Sequence, residues 1–562
     1  MNYSWLIDQR KCIGCHACTT ACKSENEVPL SVDRTWVKYV EKGTFPNAQR
    51  HFGVLRCNHC AKPPCVDICP VTAMFQRKDG IVEFNSDACI GCKACIAACP
   101  YDAIYIDPEN GTAAKCNFCT HRLDVGLEPA CVTVCPEEAL IFGDLDDPTS
   151  RISQLVGRER TQVRKPEKNT DPKCFYIGAD EAVLNPDVQM HDDSGLYMWS
   201  NQKCGSHGAQ LDNNVFVPIT KKSDSKEPSG LSLSDALNTV TGAKVAYDVP
   251  HHAPWGVDVS IYLWTKSISS GVVIVSWFVW ALSVSGNLRL DLPGSSLSPF
   301  TIPGNLSLAL DNPSWLLWQG PLLGLLFLAL TGVFLVKDLD RPERFLTILT
   351  RPQFKSWLAI GAYIILVYSI LLVLDLVTYL FGQVSSDAFK LCFSLSMPLA
   401  VMTAIYTAFL FGQAKGRDLW QSPLLPINLL LQALTAGAGT FLILTPLYGG
   451  APELYSIFSW VLIASSLLQL SIVLMGEVMI EHPSKAQARA VKLMVKGPYK
   501  YDFWFSYALG GVLIPCSMLA YQNLSMFMSC ELLYPLSGIL ALIGLFAYEN
   551  SFVMAGQSVR LS

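Results

Sequence analysis

The sequence has few charged residues and lacks several signatures that would define a function. Only 16% of its 562 residues are Asp, Glu, Lys or Arg, and 51% are apolar, which is low in charge for a soluble protein. The formal net charge is -5, and no basic tail or arginine-rich segment indicates nucleic-acid binding. Neither a Rossmann fingerprint nor a Walker loop is present, so the sequence predicts no dinucleotide or nucleotide-phosphate site of those kinds.

The N-terminal segment MNYSWLIDQRKC also lacks features of an export signal. It has neither an apolar stretch nor twin arginines, so we expect no such signal here. The sequence is too long for one hydrophobic core. Charges and cysteines crowd the first 250 residues, and long apolar runs fill the rest. We therefore expect a polar head followed by an apolar part.

Cysteine is abundant in the head. Of the 21 cysteines, sixteen form four groups of four. The groups are Cys12, Cys15, Cys18, Cys22; Cys57, Cys60, Cys65, Cys69; Cys89, Cys92, Cys95, Cys99; and Cys116, Cys119, Cys131, Cys135. The first and third groups have the spacing C-x2-C-x2-C-x3-C, which is typical of iron–sulfur binding because closely spaced thiolates can surround most of a cubane cluster.

The head also contains an internal repeat. CIGCHAC at 12–18 recurs as CIGCKAC at 89–95, and CVDICP at 65–70 recurs as CVTVCP at 131–136. Short strand patterns follow the cysteine loops at 80–84 and 103–106. The head is therefore predicted to be a duplicated ferredoxin-like domain of the α+β class.

Two other interpretations of the cysteines are less favoured. A secreted disulfide framework predicts irregular spacing without signature repeats. Zinc would suit C-x2-C pairs, but C-x2-C-x2-C places three thiolates too close together for a usual tetrahedral zinc site. Four such groups favour iron–sulfur clusters over both alternatives.

With CNHCAKPPCVDICP as its second group, the head resembles the electron-transfer subunit of dimethyl-sulfoxide-reductase-type molybdenum enzymes and polysulfide reductases. The resemblance implies four [4Fe–4S] clusters whose ligands are shared between groups. We name each implied ligand set by its first cysteine. The Cys12 set is Cys12, Cys15, Cys18 and Cys135; the Cys22 set is Cys22, Cys116, Cys119 and Cys131; the Cys57 set is Cys57, Cys60, Cys65 and Cys99; the Cys69 set is Cys69, Cys89, Cys92 and Cys95.

Residues 146–250 carry the weakest pattern. They are polar and without a sustained period, which indicates an irregular extension and a linker between a head at 1–145 and a membrane domain at 251–562. CFYIGADEAVLNP at 174–186 is a candidate strand packing on the head. Cys174 and Cys204, with His191 and His207, form no recognised metal spacing, and free cysteines are the favoured interpretation.

From Tyr262 onward the sequence contains eight apolar segments long enough to cross a bilayer, for which about 20 residues are needed. The expected spans are 262–286, 315–336, 356–380, 391–413, 424–446, 455–480, 504–522 and 531–552. A buried soluble core could explain one or two such runs but not eight. We predict an all-α integral membrane domain of eight transmembrane helices.

Basic residues are distributed unevenly between the predicted loops. Those on the side of the head are Lys337, Arg341, Arg344, Arg351, Lys355, Lys415, Arg417, Lys485, Arg489, Lys492, Lys496, Lys500 and Arg560, whereas the opposite loops offer Arg289 and Lys390. This bias predicts an inner-membrane protein with its head in the cytoplasm. The alternative is that these basic loops dock partner subunits.

The apolar part has a resemblance of its own. PWG at 254–256, DLDRPERF at 338–345, and Tyr406 followed by DLWQSPLLP at 418–426 resemble the NrfD/polysulfide-reductase membrane-subunit family. That family exchanges electrons with a quinone and binds no haem. Its head and membrane anchor are usually separate proteins, whereas here they are fused.

The resemblance implies a membrane quinone, menaquinone or ubiquinone, near the head-side ends of the first and fourth spans. A quinone needs hydrogen-bond partners for two carbonyl oxygens, and His252, Asp258, Tyr262 and Tyr406 are the candidates, with His251 beside them. The competing interpretation is an interfacial aromatic belt for the tyrosines and a solvated loop for the histidines.

Ionisable residues inside membrane spans are costly and usually functional. Lys266 lies one turn beyond Tyr262, where it could pair with Asp258, and Asp375 lies deeper, so both are candidates for a proton path. Glu477 and Glu549 are placed near the head-side ends of their spans, where snorkelling of the side chain or solvent exposure would explain them.

No part of the sequence resembles a molybdopterin-binding subunit, so the substrate-converting centre is expected on another polypeptide. We expect an electron-transfer and membrane-anchor subunit of an oxidoreductase, linking a catalytic partner of the molybdenum or tungsten pterin type to the quinone pool. The alternative is a subunit of a hydrogenase or alternative-complex-III-like assembly that couples quinone chemistry to proton translocation. A third interpretation makes the membrane part only an anchor.

Overall fold

The computed structural model describes residues 1–43, 46–189, 243–251, 253–285, 314–381, 387–448, 452–524 and 531–562. These residues form two compact units. The first unit comprises Met1–Pro254 with Ala414–Gly416 and Arg560–Ser562, and the second comprises Trp255–Gln413 with Arg417–Val559. The first is a mixed α+β head and the second is helical, as the sequence predicts.

The head is built from short elements. Its strands are β1 Tyr3–Asp8, β2 Thr35–Lys42, β3 Gln49–Arg56, β4 Met74–Gln76, β5 Val82–Phe84, β6 Ile104–Asp107, β7 Thr112–Lys115, β8 Leu140–Asp144, β9 Thr161–Gln162, β10 Cys174–Ile177 and β11 Lys244–Tyr247. Its helices are α1 Ala17–Glu25, α2 Pro64–Asp67, α3 Ala94–Ala98, α4 Thr120–Leu123, α5 Ala130–Thr133, α6 Arg151–Arg158 and α7 Glu181–Leu184, with 3-10 turns at Pro166–Lys168 and Pro186–Val188.

The main sheet of the head has the order β8-β1-β10-β9. β1 is parallel to β10 and antiparallel to β8. Leu6 on β1 is completely buried, and it packs with Ile141, Ile152 and Ile177. A strand buried on both faces reads as a continuous apolar run, as Trp5-Leu6-Ile7 does.

Two antiparallel hairpins, β4–β5 and β6–β7, follow the cysteine loops. They confirm the strand patterns predicted at 80–84 and 103–106. A third sheet has the order β11-β2-β3.

The region after residue 145 contributes to the head. β10 confirms the strand predicted within 174–186, and it pairs with β1 along the register from Trp5–Cys174 to Asp8–Ile177. Cys174 is completely buried there. Cys204, His191 and His207 lie outside the described residues.

The second unit consists mainly of long apolar helices. The membrane helices are α8 Val257–Ser285, α9 Ser314–Lys337, α11 Trp357–Leu380, α12 Asp387–Gln413, α13 Leu425–Leu444, α14 Pro452–Val473 followed by a π-helical turn at Leu474–Val478, the π-helical segment Asp502–Leu513 continuing as α16 Ile514–Leu524, and α17 Leu533–Gln557. Shorter helices are α10 Thr347–Thr350 and α15 Lys485–Val495, with 3-10 turns at Pro342–Arg344, Asp418–Gln421 and Thr445–Tyr448.

Eight of these helical segments are long and apolar enough to cross a membrane, which confirms the predicted number. The predicted boundaries were less accurate. The first helix begins at Val257 instead of Tyr262, and the last continues to Gln557 instead of residue 552. Both extensions carry polar residues that hydropathy alone excludes from a span.

The first membrane helix, α8, lies at the centre of the second unit. It packs against α9, α12, α13 and α17. Small residues allow a close contact with α13. A Cβ built on Gly271 would lie 1.9 Å from the carbonyl oxygen of Ala433, and one built on Gly437 would lie 2.2 Å from that of Gly271. Glycine at both positions therefore lets the two helix backbones touch.

Candidate functional site

The cysteines of the head surround separate cavities. The Cys12 set lines a cavity of about 350 Å³, the Cys22 set one of about 260 Å³ and the Cys69 set one of about 370 Å³. Each cavity contains all four thiols of its set. These are the same foursomes that the resemblance implies.

The Cys57 set is also brought together. Cys57 and Cys99 both lie close enough to Cys60 and Cys65 to act on their thiols electrostatically. Within the described residues, no three Cys, His, Asp or Glu side chains converge closely enough to hold a single metal ion. The sulfur atoms lie around spaces instead of around a point.

The two copies of the repeated loop have the same backbone conformation. Gly14 has a φ of 71° and the matching Gly91 a φ of 70°. Two residues later, His16 and Lys93 have φ values of 59° and 60° before α1 and α3 begin. Left-handed conformations at these two positions turn the backbone tightly, so three cysteines can face one cavity.

Burial raises the pKa of the cysteine thiols. It raises the pKa of Cys18 to about 11, and those of Cys60 and Cys116 to about 12. Only a thiolate binds a metal, so metal binding must displace the proton. These thiols therefore keep their protons at neutral pH until a metal ion displaces the protons.

Polar groups reach the cysteine sulfurs. Backbone N–H groups donate to the Sγ atoms of Cys57, Cys69, Cys89 and Cys135 at 3.3 to 3.5 Å. At the Cys22 set, the Arg56 guanidinium donates to Cys131 Sγ at 3.2 Å. Burial by itself would lower the pKa of Arg56, but Cys131, Cys116 and Cys18 raise it on balance when their thiols are deprotonated.

In the second unit, Tyr262 and Tyr406 are both buried, with 5% and 4% of their surfaces exposed. Tyr406 and Asp338 lie close enough to Tyr262 to act on it electrostatically. The Tyr406 ring packs where Gly361 has no side chain, because a Cβ there would lie 2.2 Å from the ring. The structure thus brings the two predicted tyrosines together inside the unit.

Lys266 is completely buried beside this pair. Its ammonium lies 5.2 Å from the centre of the Tyr406 ring, donates to Ala404 O at 3.0 Å and donates to Thr407 Oγ1. Glu549 lies close enough to act on Lys266 electrostatically. One Glu549 oxygen accepts a hydrogen bond from Ser267 at 3.3 Å, and the other has no partner among the described residues.

The expected pair of Asp258 with Lys266 is wrong. Asp258 instead accepts a hydrogen bond from Lys337 at 2.9 Å, at the partly exposed ends of α8 and α9. Lys266 lies two turns along α8, beyond the reach of Asp258. His251 hydrogen-bonds with Ser562 Oγ at 3.0 Å within the first unit, and His252 lies outside the described residues.

Asp375 is completely buried within α11. Neither carboxylate oxygen has a hydrogen-bond donor among the described residues. Ser396 lies near it, but the Ser396 hydroxyl donates to Phe393 O. A buried carboxyl without a partner is destabilising, so its presence calls for a functional reason.

The burial of two glutamates was underestimated from the sequence. Glu477 and Glu549 are 6% and 2% exposed, so the expected solvent exposure is wrong. The signal missed was α17 itself: it continues past Glu549 to Gln557, which places Glu549 two turns inside the helix end. Arg56 was also missed, because nothing in its sequence neighbourhood indicates contact with Cys131.

Comparison with known families follows the same division of the sequence. Residues 11–74 and 49–145 each match the family described as 4Fe-4S dicluster domain. Residues 248–560 match the family described as Polysulphide reductase, NrfD. The protein therefore contains iron–sulfur domains followed by a membrane domain.

Curated relatives match the iron–sulfur part. A tetrathionate reductase subunit of Salmonella typhimurium is 47% identical over 190 residues, which are 33% of this sequence and 76% of that protein. A polysulfide reductase component of Wolinella succinogenes is 46% identical over 181 residues, 31% of this sequence and 94% of that protein.

The iron-sulfur subunit of an arsenate respiratory reductase from a Shewanella species is 37% identical over 225 residues, 32% of this sequence and 96% of that protein. These relatives are subunits of reductase complexes. The NrfD match spans more than half of the sequence, and the dicluster matches precede it. The protein therefore belongs to the NrfD polysulphide reductase family, as a multi-pass membrane protein in which an iron–sulfur electron-transfer subunit is fused to an NrfD-type membrane anchor.

Proposed function

We propose that the protein passes electrons between a separate catalytic subunit and the membrane quinone pool through four [4Fe–4S] clusters. The observation that carries this proposal is the grouping of sixteen cysteines into four sets, of which three line separate cavities in the head and the fourth, the Cys57 set, has its thiols close together. A row of clusters serves electron transfer, because each accepts or gives one electron with little rearrangement.

Each set suits one cubane cluster. The thiols of three sets line a common cavity and those of the Cys57 set lie close together, and clusters of this type are held by four cysteine thiolates. When bound, a cluster supplies a one-electron carrier. The head's own contribution is to supply the thiolates, to donate backbone N–H groups to their sulfurs and to keep water away, since most of these cysteines are buried.

The Cys12 set supports a role for a catalytic partner. Cys15 is exposed, and Cys12 and Cys135 are partly exposed. Ile13 beside them exposes 55% of its surface. An apolar, accessible edge at an electron carrier fits docking of a redox partner. We propose a reductase subunit of the molybdenum or tungsten pterin type there.

A quinone-reactive site is proposed in the second unit. Tyr262 and Tyr406 offer hydroxyls to quinone carbonyl oxygens, and Asp258, one turn before Tyr262, remains a candidate for proton exchange. His252 stays a prediction. The support is that Tyr262, Tyr406 and Lys266 come together in a largely apolar helical unit.

We place the head on the cytoplasmic side of the inner membrane. The excess of basic residues in the head-side loops supports this orientation. One of them has another role, since Arg417 is 3% exposed and donates to Gln557 O and Val559 O at 2.9 and 2.8 Å. The excess of basic residues in the head-side loops remains when Arg417 is left out.

A second candidate function is coupling of quinone chemistry to proton translocation. The observation that favours it is the burial of four ionisable residues, Lys266, Asp375, Glu477 and Glu549, inside the membrane helices. Such residues commonly mark proton routes. We propose Lys266 and Asp375 as members of such a path.

The test uses the full-length protein in membrane vesicles, with a quinol added and cluster reduction followed optically. Tyr262→Phe, Tyr406→Phe and Asp258→Asn should each slow reduction about tenfold or more, equal to about 1.4 kcal/mol in the barrier, with iron and sulfide content unchanged. Tyr521→Phe is the matched control, because Tyr521 is 60% exposed. Unchanged rates in all three variants would disprove the proposed quinone site, and a low iron content in the unsubstituted protein would disprove the four clusters.

A further inference from the structure

Arg56 is a buried cation at the end of β3. Its side chain is completely buried, although a guanidinium is charged at any ordinary pH. A charge removed from water is strongly destabilising unless something compensates it. The groups around Arg56 therefore show what its charge is for.

Two contacts hold the guanidinium in place. Its carbon lies 4.3 Å from the centre of the Trp5 ring, a cation–π geometry, and one nitrogen donates to Cys131 Sγ at 3.2 Å. The remaining nitrogens, Nε and Nη2, have no hydrogen-bond partner among the described residues. The compensating negative charge must therefore come mainly from the sulfur side.

The same cavity receives a second donor. The Asn26 amide nitrogen lies 3.8 Å from Cys22 Sγ and 3.7 Å from Cys119 Sγ. Arg34 donates to the Asn26 side-chain oxygen at 3.0 Å, which orients the amide toward the sulfurs. Arg56, Asn26 and Arg34 all line the cavity of the Cys22 set, so positive charge and donors converge there.

We propose that Arg56 is a positioning residue that raises the reduction potential of the cluster held by the Cys22 set. Four thiolates give such a site a net negative charge that grows by one when an electron arrives. A fixed cation in a dry environment favours the more negative, reduced state. Reduction adds one electron and leaves the proton on Arg56, so no bond to the guanidinium forms or breaks.

The other sets are bound differently. Backbone N–H groups donate to sulfurs of the Cys12, Cys57 and Cys69 sets, and a neutral donor stabilises charge less than a guanidinium does. Substituting Arg56 should consequently shift the potential of the Cys22-set cluster most, with a smaller shift at the Cys12 set, whose Cys18 also lies near Arg56. This inference rests on the proposed clusters, and iron analysis separates failure of that proposal from failure of this one.

The experiment is an equilibrium redox titration of the purified full-length protein, followed by electron paramagnetic resonance. Cys119→Ser identifies the signal of the Cys22 set. In Arg56→Gln, the equilibrium constant for reduction of that cluster should fall at least tenfold, which is about 59 mV for a one-electron couple. Arg56→Lys, which keeps the charge but not the planar donor, should shift it less.

Arg164→Gln is the matched control. Arg164 is also buried, with its guanidinium 5.6 Å from the Tyr101 ring, but it donates to the carbonyl oxygen of Leu561 instead of a cysteine. Arg164→Gln should leave the reduction potential of the Cys22-set cluster unchanged. Full iron content with unchanged potentials in both Arg56 variants would overturn the proposal. Loss of this one cluster in both variants would overturn it too, making Arg56 a structural counter-ion only.

Discussion

Glu549 is a buried carboxyl group among the membrane helices. It is 2% exposed, and it has one oxygen bonded to Ser267 and one without a partner in the described part of the protein. Lys266 lies near it and makes its hydrogen bonds elsewhere, to Ala404 and Thr407. A carboxyl with a free oxygen near a buried ammonium is suited to exchanging a proton.

We therefore expect Glu549→Gln to slow quinol-driven cluster reduction about 100-fold, the usual contribution of a residue that transfers protons. The amide keeps the shape and the bond to Ser267 but cannot carry the proton. Stopped-flow absorbance of the full-length protein in vesicles measures the rate. Glu343→Gln provides the comparison, since Glu343 has 56% of its side chain exposed, and equal rates for the two variants would rule out the role.

Asp375 provides a separate prediction. Its buried carboxyl lacks a donor among the described residues, and such a group typically costs about 1 to 3 kcal/mol. Asp375→Leu should consequently raise the unfolding temperature of the detergent-solubilised protein while slowing the release of protons that accompanies quinol oxidation. A loss of stability would show instead that the carboxyl has a stabilising partner.

The sequence predicts the roles of some individual residues well and those of others poorly. The four cysteine groups follow from their spacing, whereas the ligand sets follow only from the resemblance, because each set combines cysteines from two groups. Arg56 and Glu549 do not follow, because their roles arise from contacts with residues distant in sequence, Cys131 and Ser267. No local pattern encodes such contacts.

Among the elements, α8 and α13 approach each other closely enough for their backbones to touch. Backbones meet at Gly271 and Gly437, where a side chain has no room. Both helices are also deeply buried. In each of them, 72% of the most apolar 18-residue stretch is buried inside the protein. Helices in a membrane associate through such small residues, because lipid offers no hydrophobic driving force.

Gly437→Leu should separate these helices and lower stability by about 3 kcal/mol, the upper range for overpacking. The measurement is thermal unfolding of the detergent-solubilised protein, followed by size-exclusion chromatography. Gly332→Leu on α9 is the matched control, because a Cβ there meets nothing within 4 Å. Similar losses in both variants would show that the contact is not special.

The number of membrane helices was predictable, but their packing was not. Hydropathy finds a span because every residue in it must tolerate lipid. For the same reason the lipid-facing and buried sides of a helix look alike in sequence. The central place of α8 therefore becomes visible only from its contacts with four other helices.

For the molecule as a whole, the two units should respond differently to loss of iron. The head consists of short strands and helices between cysteine loops, so much of its stability should come from metal binding. The second unit is stabilised by helix packing. Removal of iron from the reduced protein with a chelator should make the head sensitive to protease. The far-ultraviolet circular dichroism spectrum of the whole protein should keep most of its helical signal. A protease-resistant head after complete iron removal would contradict this expectation.

The position of β1 has a consequence for synthesis of the protein. β1 lies at residues Tyr3–Asp8, yet its neighbours in the sheet are β8 at Leu140–Asp144 and β10 at Cys174–Ile177. The ribosome therefore delivers the first strand long before either partner exists. Until Ile177 has emerged, the N-terminal segment and the thiols just after it must wait without their final neighbours. The Cys57 and Cys69 sets are complete once Cys99 has emerged, so these two sets can form before the Cys12 and Cys22 sets, which need Cys135 and Cys131.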